Sequence, residues 1–253
     1  MRRIYLVSCL PSLLEPFVQG SILGRAQRAG HVEIHLVDLR DYTHDRHRST
    51  DDQPYGGGAG MVMKPAPFFE AVDAIRDAYA PEPLPTVVAT SPQGELFTQS
   101  LAQQLADRGD LIILCGHYEA MDERVVDHLA DHQISIGDYI LTGGELPALV
   151  ITDAVTRLYP GVLGNPDSLD EESFDDGLLG YPQYTRPAVY RDLSTPDVLL
   201  SGDHARIAQW RRLQRLLRTR ERRPDLWERL TLSPADRKLL EKADADRFSE
   251  SET

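Results

Sequence analysis

The stretch Ser135-Ile-Gly-Asp-Tyr-Ile-Leu-Thr-Gly-Gly-Glu-Leu-Pro147 crowds Gly137, Gly143 and Gly144 between an apolar, strand-like run and a helix-like one. Glycine carries no Cβ and visits positive φ at little cost. A loop holding several can therefore turn back on itself and aim N–H and C=O groups at a flat heterocycle. An ordinary strand-to-helix turn would also use glycine, and the neighbouring sequence bears on the choice. Thr90-Ser-Pro-Gln-Gly94 follows the run Thr86 to Ala89, and Cys115-Gly-His-Tyr-Glu119 follows Asp110 to Leu114. In an open α/β sheet, ligands sit outside the carboxyl ends of strands, so these three loops are expected to converge on one site.

Further apolar runs at Ile4 to Val7, Val32 to Leu39 and Gln133 to Ile136 alternate with helix-length stretches. The latter cover Pro11 to Arg28, Pro65 to Tyr79, Thr98 to Arg108 and Leu146 to Leu158. This alternation predicts a parallel sheet covered by helices on both faces. Residues 161–180 lose periodicity and turn acidic, with Gly, Pro and Ser, and read as a linker that is mobile without substrate. Beyond it, Asp203 to Arg218, Arg223 to Leu230 and Ser233 to Arg247 read as helices, the last opened by Ser233-Pro234 with Asp236 in its first turn. The expected organisation is an α/β parallel-sheet domain over residues 1–163, an acidic linker over 164–180 and a small helical domain over 181–253.

With 253 residues, 41% hydrophobic and 26% charged, the chain can bury a core for one large domain and a small one. Cys9 and Cys115 are its only cysteines, which excludes a disulfide framework or a Cys-rich zinc site and points to a reducing, cytoplasmic setting. Met1 to Leu10 has the charged and apolar parts of a signal peptide, but Pro11 and Glu15 interrupt it, so it reads as a first strand. No run approaches the ~20 apolar residues of a spanning helix, and no membrane partner is expected.

A net charge of −13 argues against generic nucleic-acid binding. Its distribution argues otherwise: Arg206, Arg211, Arg212, Arg215, Arg218, Arg220, Arg222, Arg223 and Arg229 are opposed only by Glu221, Asp225 and Glu228, with Trp210 and Trp227 interleaved. That is the composition of an RNA-contacting face, and equally of a solvated arginine-rich helix.

Gly56 to Gly60 lacks a preceding strand and has Met63 where a dinucleotide fingerprint needs its last glycine. No GxxxxGK[ST], HExxH or GxSxG motif occurs, which removes ATPase, zincin and serine-hydrolase readings. His44 with His47, or His128 with His132, lack a third ligand, so no protein-caged metal is expected.

The three loops, together with Tyr55-Gly-Gly-Gly-Ala-Gly-Met61, Tyr159-Pro-Gly-Val-Leu-Gly164 and Tyr184-Thr-Arg-Pro187, resemble the bacterial tRNA (guanine-N1)-methyltransferases of the SPOUT superfamily. The likeness covers nearly the whole chain in order. It implies a deep trefoil knot and S-adenosylmethionine held by Gly116, Ile136, Gly137, Asp138, Tyr139, Ile140 and Leu141. Ser91, Gly94, Tyr118, Glu119, Gly143, Gly144 and Pro147 would support it. Family members usually carry arginine where this chain has His117.

Guanine N1 is protonated at neutral pH, so its methylation needs a base and a donor for charge developing at O6. The family's catalytic aspartate maps to Glu172, a departure by one methylene, with Asp170 and Glu171 the next candidates; its supporting arginine maps to Arg157. The resemblance further implies a homodimer with shared active sites, acting on the guanine 3′ of the anticodon. Arg206, Arg211, Arg212 and Arg220 would grip the tRNA anticodon stem-loop. Mg²⁺ would act without a protein-only site. A knotted ribose 2′-O-methyltransferase and a non-catalytic RNA-binding regulator are the alternatives.

Overall fold

A computed structural model of the chain describes residues 1–78, 83–164, 172–174 and 176–251, with side chains through residue 245. The described residues fall into two compact units, Met1–Gly164 and Asn165–Thr253.

In the first unit, β1 (Arg2–Ser8) leads through two short helices, α1 (Glu15–Gln19) and α2 (Ser21–Arg28), to β2 (Val32–Asp38). The single helix expected over residues 11–28 is broken at Gly20, whose backbone is extended (φ −89, ψ 168). The start of α2 then packs so closely on the end of α1 that a Cβ on Gly24 would lie 2.0 Å from the Gln19 carbonyl oxygen.

Short strands β3 (Asp51–Asp52) and β4 (Val62–Met63) precede α3 (Pro65–Asp77), which begins on a proline at its first turn where no N–H is needed. Next come β5 (Thr86–Leu96) and α4 (Gln99–Arg108), whose N-cap Thr98 accepts from the Leu101 N–H. β6 (Leu111–Leu114), β7 (Ala120–Met121), α5 (Glu123–Leu129), β8 (His132–Ser135) and α6 (Glu145–Thr156) complete the unit.

The main sheet has the order β2-β1-β6-β5-β8, every pair parallel. Side chains alternate across it. Ile4, Leu6, Val88, Leu111 and Ile113 enter one buried cluster with Leu105 of α4 and Ile151 of α6. Val7, Val87, Ala89, Ile112 and Leu114 enter another with Phe68 of α3 and Val125 of α5. Burial on both faces is why these strands are apolar throughout rather than at every second position. A second small sheet, β3-β4-β7, ties the glycine-rich loop after Tyr55 to the segment following β6.

The second unit contains the strands β9 (Val189–Tyr190) and β10 (Leu193–Ser194) and the helices α7 (Asp197–Leu200), α8 (His204–Arg222), α9 (Pro224–Trp227) and α10 (Pro234–Ser251). Leu178, Leu216 and Leu240 form its buried centre. Residues 176–180, read from sequence as linker, belong to this packing. The Leu179 N–H donates to Thr219 Oγ1, and Asp176 pairs with Arg212 and Arg215. Asp170 and Glu171 lie outside the described residues. No helix of the described residues is long and apolar enough to cross a membrane.

Candidate functional site

The carboxyl ends of β5 and β6 meet the loop that follows β8. β5 is interrupted there: Thr90 and Glu95 both register with Ile134, so Ser91 to Gly94 loop out. Thr90 Oγ1 donates to the Leu114 carbonyl at 3.0 Å and accepts from the Gly116 N–H at 3.4 Å. The Gly144 N–H donates to the Gly116 carbonyl at 2.6 Å, and His117 bridges Gly143 in antiparallel fashion.

Gly144 has an ordinary φ of −83. What requires glycine is contact: a Cβ there would sit 2.1 Å from Thr90 Oγ1 and 2.7 Å from the Gly116 nitrogen. At Gly143 a Cβ would lie 2.3 Å from Glu145 Oε2 and 2.5 Å from His117 Nδ1, so this residue is also small because protein, not only ligand, approaches it. Gly137 is the case where the turn itself asks for glycine, with φ at 145.

These loops enclose a cavity of about 500 Å³, within the ordinary range for small-molecule sites. Of the donor-pocket residues expected from sequence, all but Gly94 and Asp138 line it. Asp138 is exposed and takes no part in the wall. Gly94 serves the sheet instead, since a Cβ there would fall 2.4 Å from backbone atoms of Gln133 and Ile134. The wall also includes Met121, Glu123 and Val126 of the β7–α5 segment, which sequence reading missed. Asp122, whose side chain accepts from the Arg124 N–H as an N-cap, is the sequence signal for that helix.

Glu119 and Glu123 are the acidic lining residues and His117 is the histidine among them, and no lysine or arginine among the described residues lines the cavity. Such a wall favours a ligand with a positive centre and a flat body over one bearing phosphate. Tyr139 and Ile140 at the rim are 54% and 81% exposed, an apolar edge open to a partner.

Behind His117 lies a group that no sequence spacing suggests. Glu145 is buried, accepts from Ser8 Oγ at 2.7 Å, and holds Oε2 3.7 Å from His117 Nδ1. Cys9, His117 and Glu145 present ligating atoms all within 4.8 Å of one another. Burial, reinforced by Glu145, pushes the Cys9 thiol up to about 11. Of the histidines singled out in the sequence, His44 pairs with Glu70 and His132 with Glu95.

Arg157 is half-buried at the C-terminal end of α6, its N–H donating to the Asp153 carbonyl. Glu172 is half-buried in the second unit. The arginine cluster divides into two kinds. Arg212 forms a fork on Asp236 at 2.8 and 2.9 Å and also reaches Asp176 at 2.6 Å; Arg220 holds Asp244; Arg215 is buried against Asp176. Hydrogen bonds from Arg212 hold the Asp236 carboxyl down to about 2. Its folded value lies below the unfolded one, so the pair stabilises above about pH 4 and that stabilisation fades as pH falls toward 2. The second kind faces other groups: Arg206 is exposed to solvent, and the half-buried Arg211 lies 4.7 Å over the Tyr181 ring, near the Tyr184–Trp210 contact at 6.4 Å.

Because Gly144 is held so tightly against Thr90 and Gly116, Gly144→Ala should cost ~2 kcal/mol of stability, as overpacking does. It should also weaken S-adenosylmethionine binding at least about tenfold by calorimetry. Unchanged melting and unchanged affinity would mean that the three loops do not depend on this approach.

A model of the family described as tRNA (Guanine-1)-methyltransferase TrmD matches residues 2–229. Proteins named tRNA (guanine-N(1)-)-methyltransferase from Dehalococcoides mccartyi strain 195 and Moorella thermoacetica are each 52% identical over 239 residues, covering 94% of this chain and 96% and 95% of theirs. One of the same name from Myxococcus xanthus is 51% identical over 238 residues, 94% of this chain and 95% of its own. By this match, the chain belongs to the tRNA (guanine-1)-methyltransferase family.

Proposed function

We propose that the guanine this enzyme methylates at N1 is the one immediately 3′ of the tRNA anticodon, with Glu172 as base and Arg157 as the cation at O6. The activity itself follows from membership: the chain is an S-adenosylmethionine-dependent tRNA (guanine-N1)-methyltransferase. The observation that carries the site assignment is the backbone-built cavity at the ends of β5, β6 and β8, whose described wall residues include no lysine or arginine.

The cavity suits the methyl donor. Gly116, Gly137 and Gly143 let backbone approach a planar base, Ile136, Ile140 and Leu141 offer apolar contact, and Glu119 and Glu123 attract a cation. When bound, S-adenosylmethionine supplies a methyl group on a positively charged sulfur. The residues of this chain then have two tasks. Glu172 removes the N1 proton, which lets the ring nitrogen attack, and Arg157 stabilises the negative charge gathering at O6. In our reading the cavity lies within a trefoil knot, as membership of the family implies. Mg²⁺ prefers phosphate and water oxygens and is assigned to the tRNA side of the complex.

Nucleoside mass analysis of tRNA incubated with protein and S-adenosylmethionine should find N1-methylguanosine next to the anticodon. Glu172→Gln should retain tRNA binding and lose ~10² to 10⁴ in single-turnover rate. A loss under about tenfold would move the base to another acid.

For the tRNA, we assign phosphate contact to exposed arginines such as Arg206, and base or ribose stacking to the Tyr181, Tyr184 and Trp210 surface with Arg211. Arg212 and Arg220, engaged with Asp236 and Asp244, shape this surface. Arg206→Ala should flatten the log–log salt slope of tRNA binding by about 0.7 to 0.9 for each phosphate no longer neutralised, without altering melting. Arg212→Ala should instead lower stability by ~2 kcal/mol, because it leaves the buried Asp236 short of its partner. The reverse pattern would exchange their roles.

We assign a homodimer with active sites shared between chains. Leu146 and Val150, one turn apart on α6, are 53% and 45% exposed, and Ile140 stands beside the cavity. Glu172→Ala and Gly143→Ala chains, each inactive alone, can be refolded together. If the acid serves the neighbour's pocket, half of the dimers carry one complete site and activity returns to about a quarter of wild type. No recovery, with mixed dimers present by native mass analysis, would give each chain its own site.

A further inference from the structure

We propose that Cys9, His117 and Glu145 form a binding site for a borderline-soft divalent transition metal, of the zinc class, behind the donor cavity.

The three come from separate parts of the chain: the segment after β1, the loop after β6, and the first turn of α6. Their ligating atoms nevertheless lie within 4.8 Å of one another. His117 Nδ1 is buried with no hydrogen-bond partner among the described residues, an arrangement that leaves a ring nitrogen unsatisfied unless something else takes its lone pair or its proton. Glu145 Oε2 at 3.7 Å is too far for a hydrogen bond to that nitrogen. Around a tetrahedral zinc ion, with bonds of roughly 2.0 to 2.3 Å, neighbouring ligand atoms stand roughly 3.4 to 3.6 Å apart. The His117–Glu145 separation is close to that spacing, and the thiol needs only a modest side-chain adjustment to join it.

The surroundings hold the ligands in place. Ser8 Oγ donates to Glu145 Oε1, which fixes the carboxylate and leaves Oε2 facing His117. The His117 backbone is pinned by its bridge to Gly143 and by its N–H on Met63 Sδ. Any side chain on Gly143 would fill the gap, since its Cβ would fall within 2.5 Å of both Glu145 Oε2 and His117 Nδ1.

The ligand chemistry selects the ion. One sulfur, one nitrogen and one carboxylate oxygen suit zinc or cobalt and not magnesium, which demands an octahedral oxygen shell. On binding, the Cys9 S–H proton leaves to solvent, the thiolate, imidazole and carboxylate each give one lone pair, and water completes the fourth position. The ion would tie the end of β1 to the two loops that carry Gly116 and Gly143.

Co²⁺ is the probe, because tetrahedral thiolate coordination gives an intense visible spectrum and a near-ultraviolet sulfur-to-cobalt charge-transfer band. Titrating the full chain with Co²⁺ should develop both to one equivalent, with Zn²⁺ displacing the cobalt and excess Mg²⁺ leaving it in place. Groups that merely orient a metal's ligands are worth roughly 10- to 100-fold in affinity, so removing a direct ligand should cost more than about 100-fold. Cys9→Ser should therefore abolish the charge-transfer band, and His117→Arg, which removes the imidazole and places a guanidinium beside Glu145, should abolish tight binding while the protein melts as before. Cys115→Ser should retain the spectrum. Absence of the band in the wild-type chain at millimolar Co²⁺, or its persistence in Cys9→Ser, would overturn the site.

Discussion

The approach of Gly144 to Gly116 is the constraint on which the rest of the first unit turns. Their hydrogen bond is 2.6 Å long, and the Thr90 hydroxyl occupies the space where a Gly144 side chain would begin. Three chain segments meet there with no bulky side chain between them. The end of the loop from Ile136 to Gly144 is thereby anchored by protein backbone. A cavity fixed in this way avoids the ordering cost that a floppy loop would meet on binding.

Much of this is legible in the sequence because both faces of the sheet are buried. Runs such as Leu111 to Leu114 are apolar at every position, and alternating helical stretches imply the parallel order that produces them. The loops after β5, β6 and β8 are legible by the same logic, since glycine and polar atoms follow each run. What escapes has physical reasons. Gly20 breaks a helix whose apolar periodicity continues across it, and periodicity alone does not report a break. β3, β4 and β7 are two residues long, too short to carry any alternation. Gly94, Gly143 and Gly144 read as ligand-facing from sequence, yet each is held small at least partly by protein atoms, a contact that spacing cannot reveal.

Charge is the least legible property, because sequence counts residues and structure pairs them. The arginines between positions 206 and 229 look like one basic patch. Arg212, Arg215 and Arg220 are nevertheless matched by Asp176, Asp236 and Asp244, which lie 24 to 39 residues away along the chain. Asp176, one of the acids crowding the apparent linker, belongs to this lattice. Burial raises its affinity for a proton, but the hydrogen bonds and charge of Arg212 and Arg215 outweigh that and keep its pKa low. It is therefore held as a fixed anion in the packing, a poor candidate for a proton acceptor that must pick up and release a proton in each cycle. This strengthens the case for seeking the base among the acids that precede it.

The two units consequently divide the electrostatic work. The cavity presents Glu119 and Glu123 and repels phosphate, which suits a cationic methyl donor and opposes nonproductive entry of the RNA backbone. A chain with a net charge of −13 must then hold its polyanionic substrate through a surface whose acids are already internally committed. In the function we propose, the α8 face meets that requirement. Arg212 and Arg220 neutralise the acids around them, Arg206 is exposed, and the half-buried Arg211 lies over Tyr181 near Tyr184 and Trp210. Stacking on those rings is insensitive to the overall charge of the protein, and the exposed guanidinium groups act over about one Debye length, roughly 8 to 10 Å. In that reading local pairing, more than net charge, decides where this acidic protein accepts RNA.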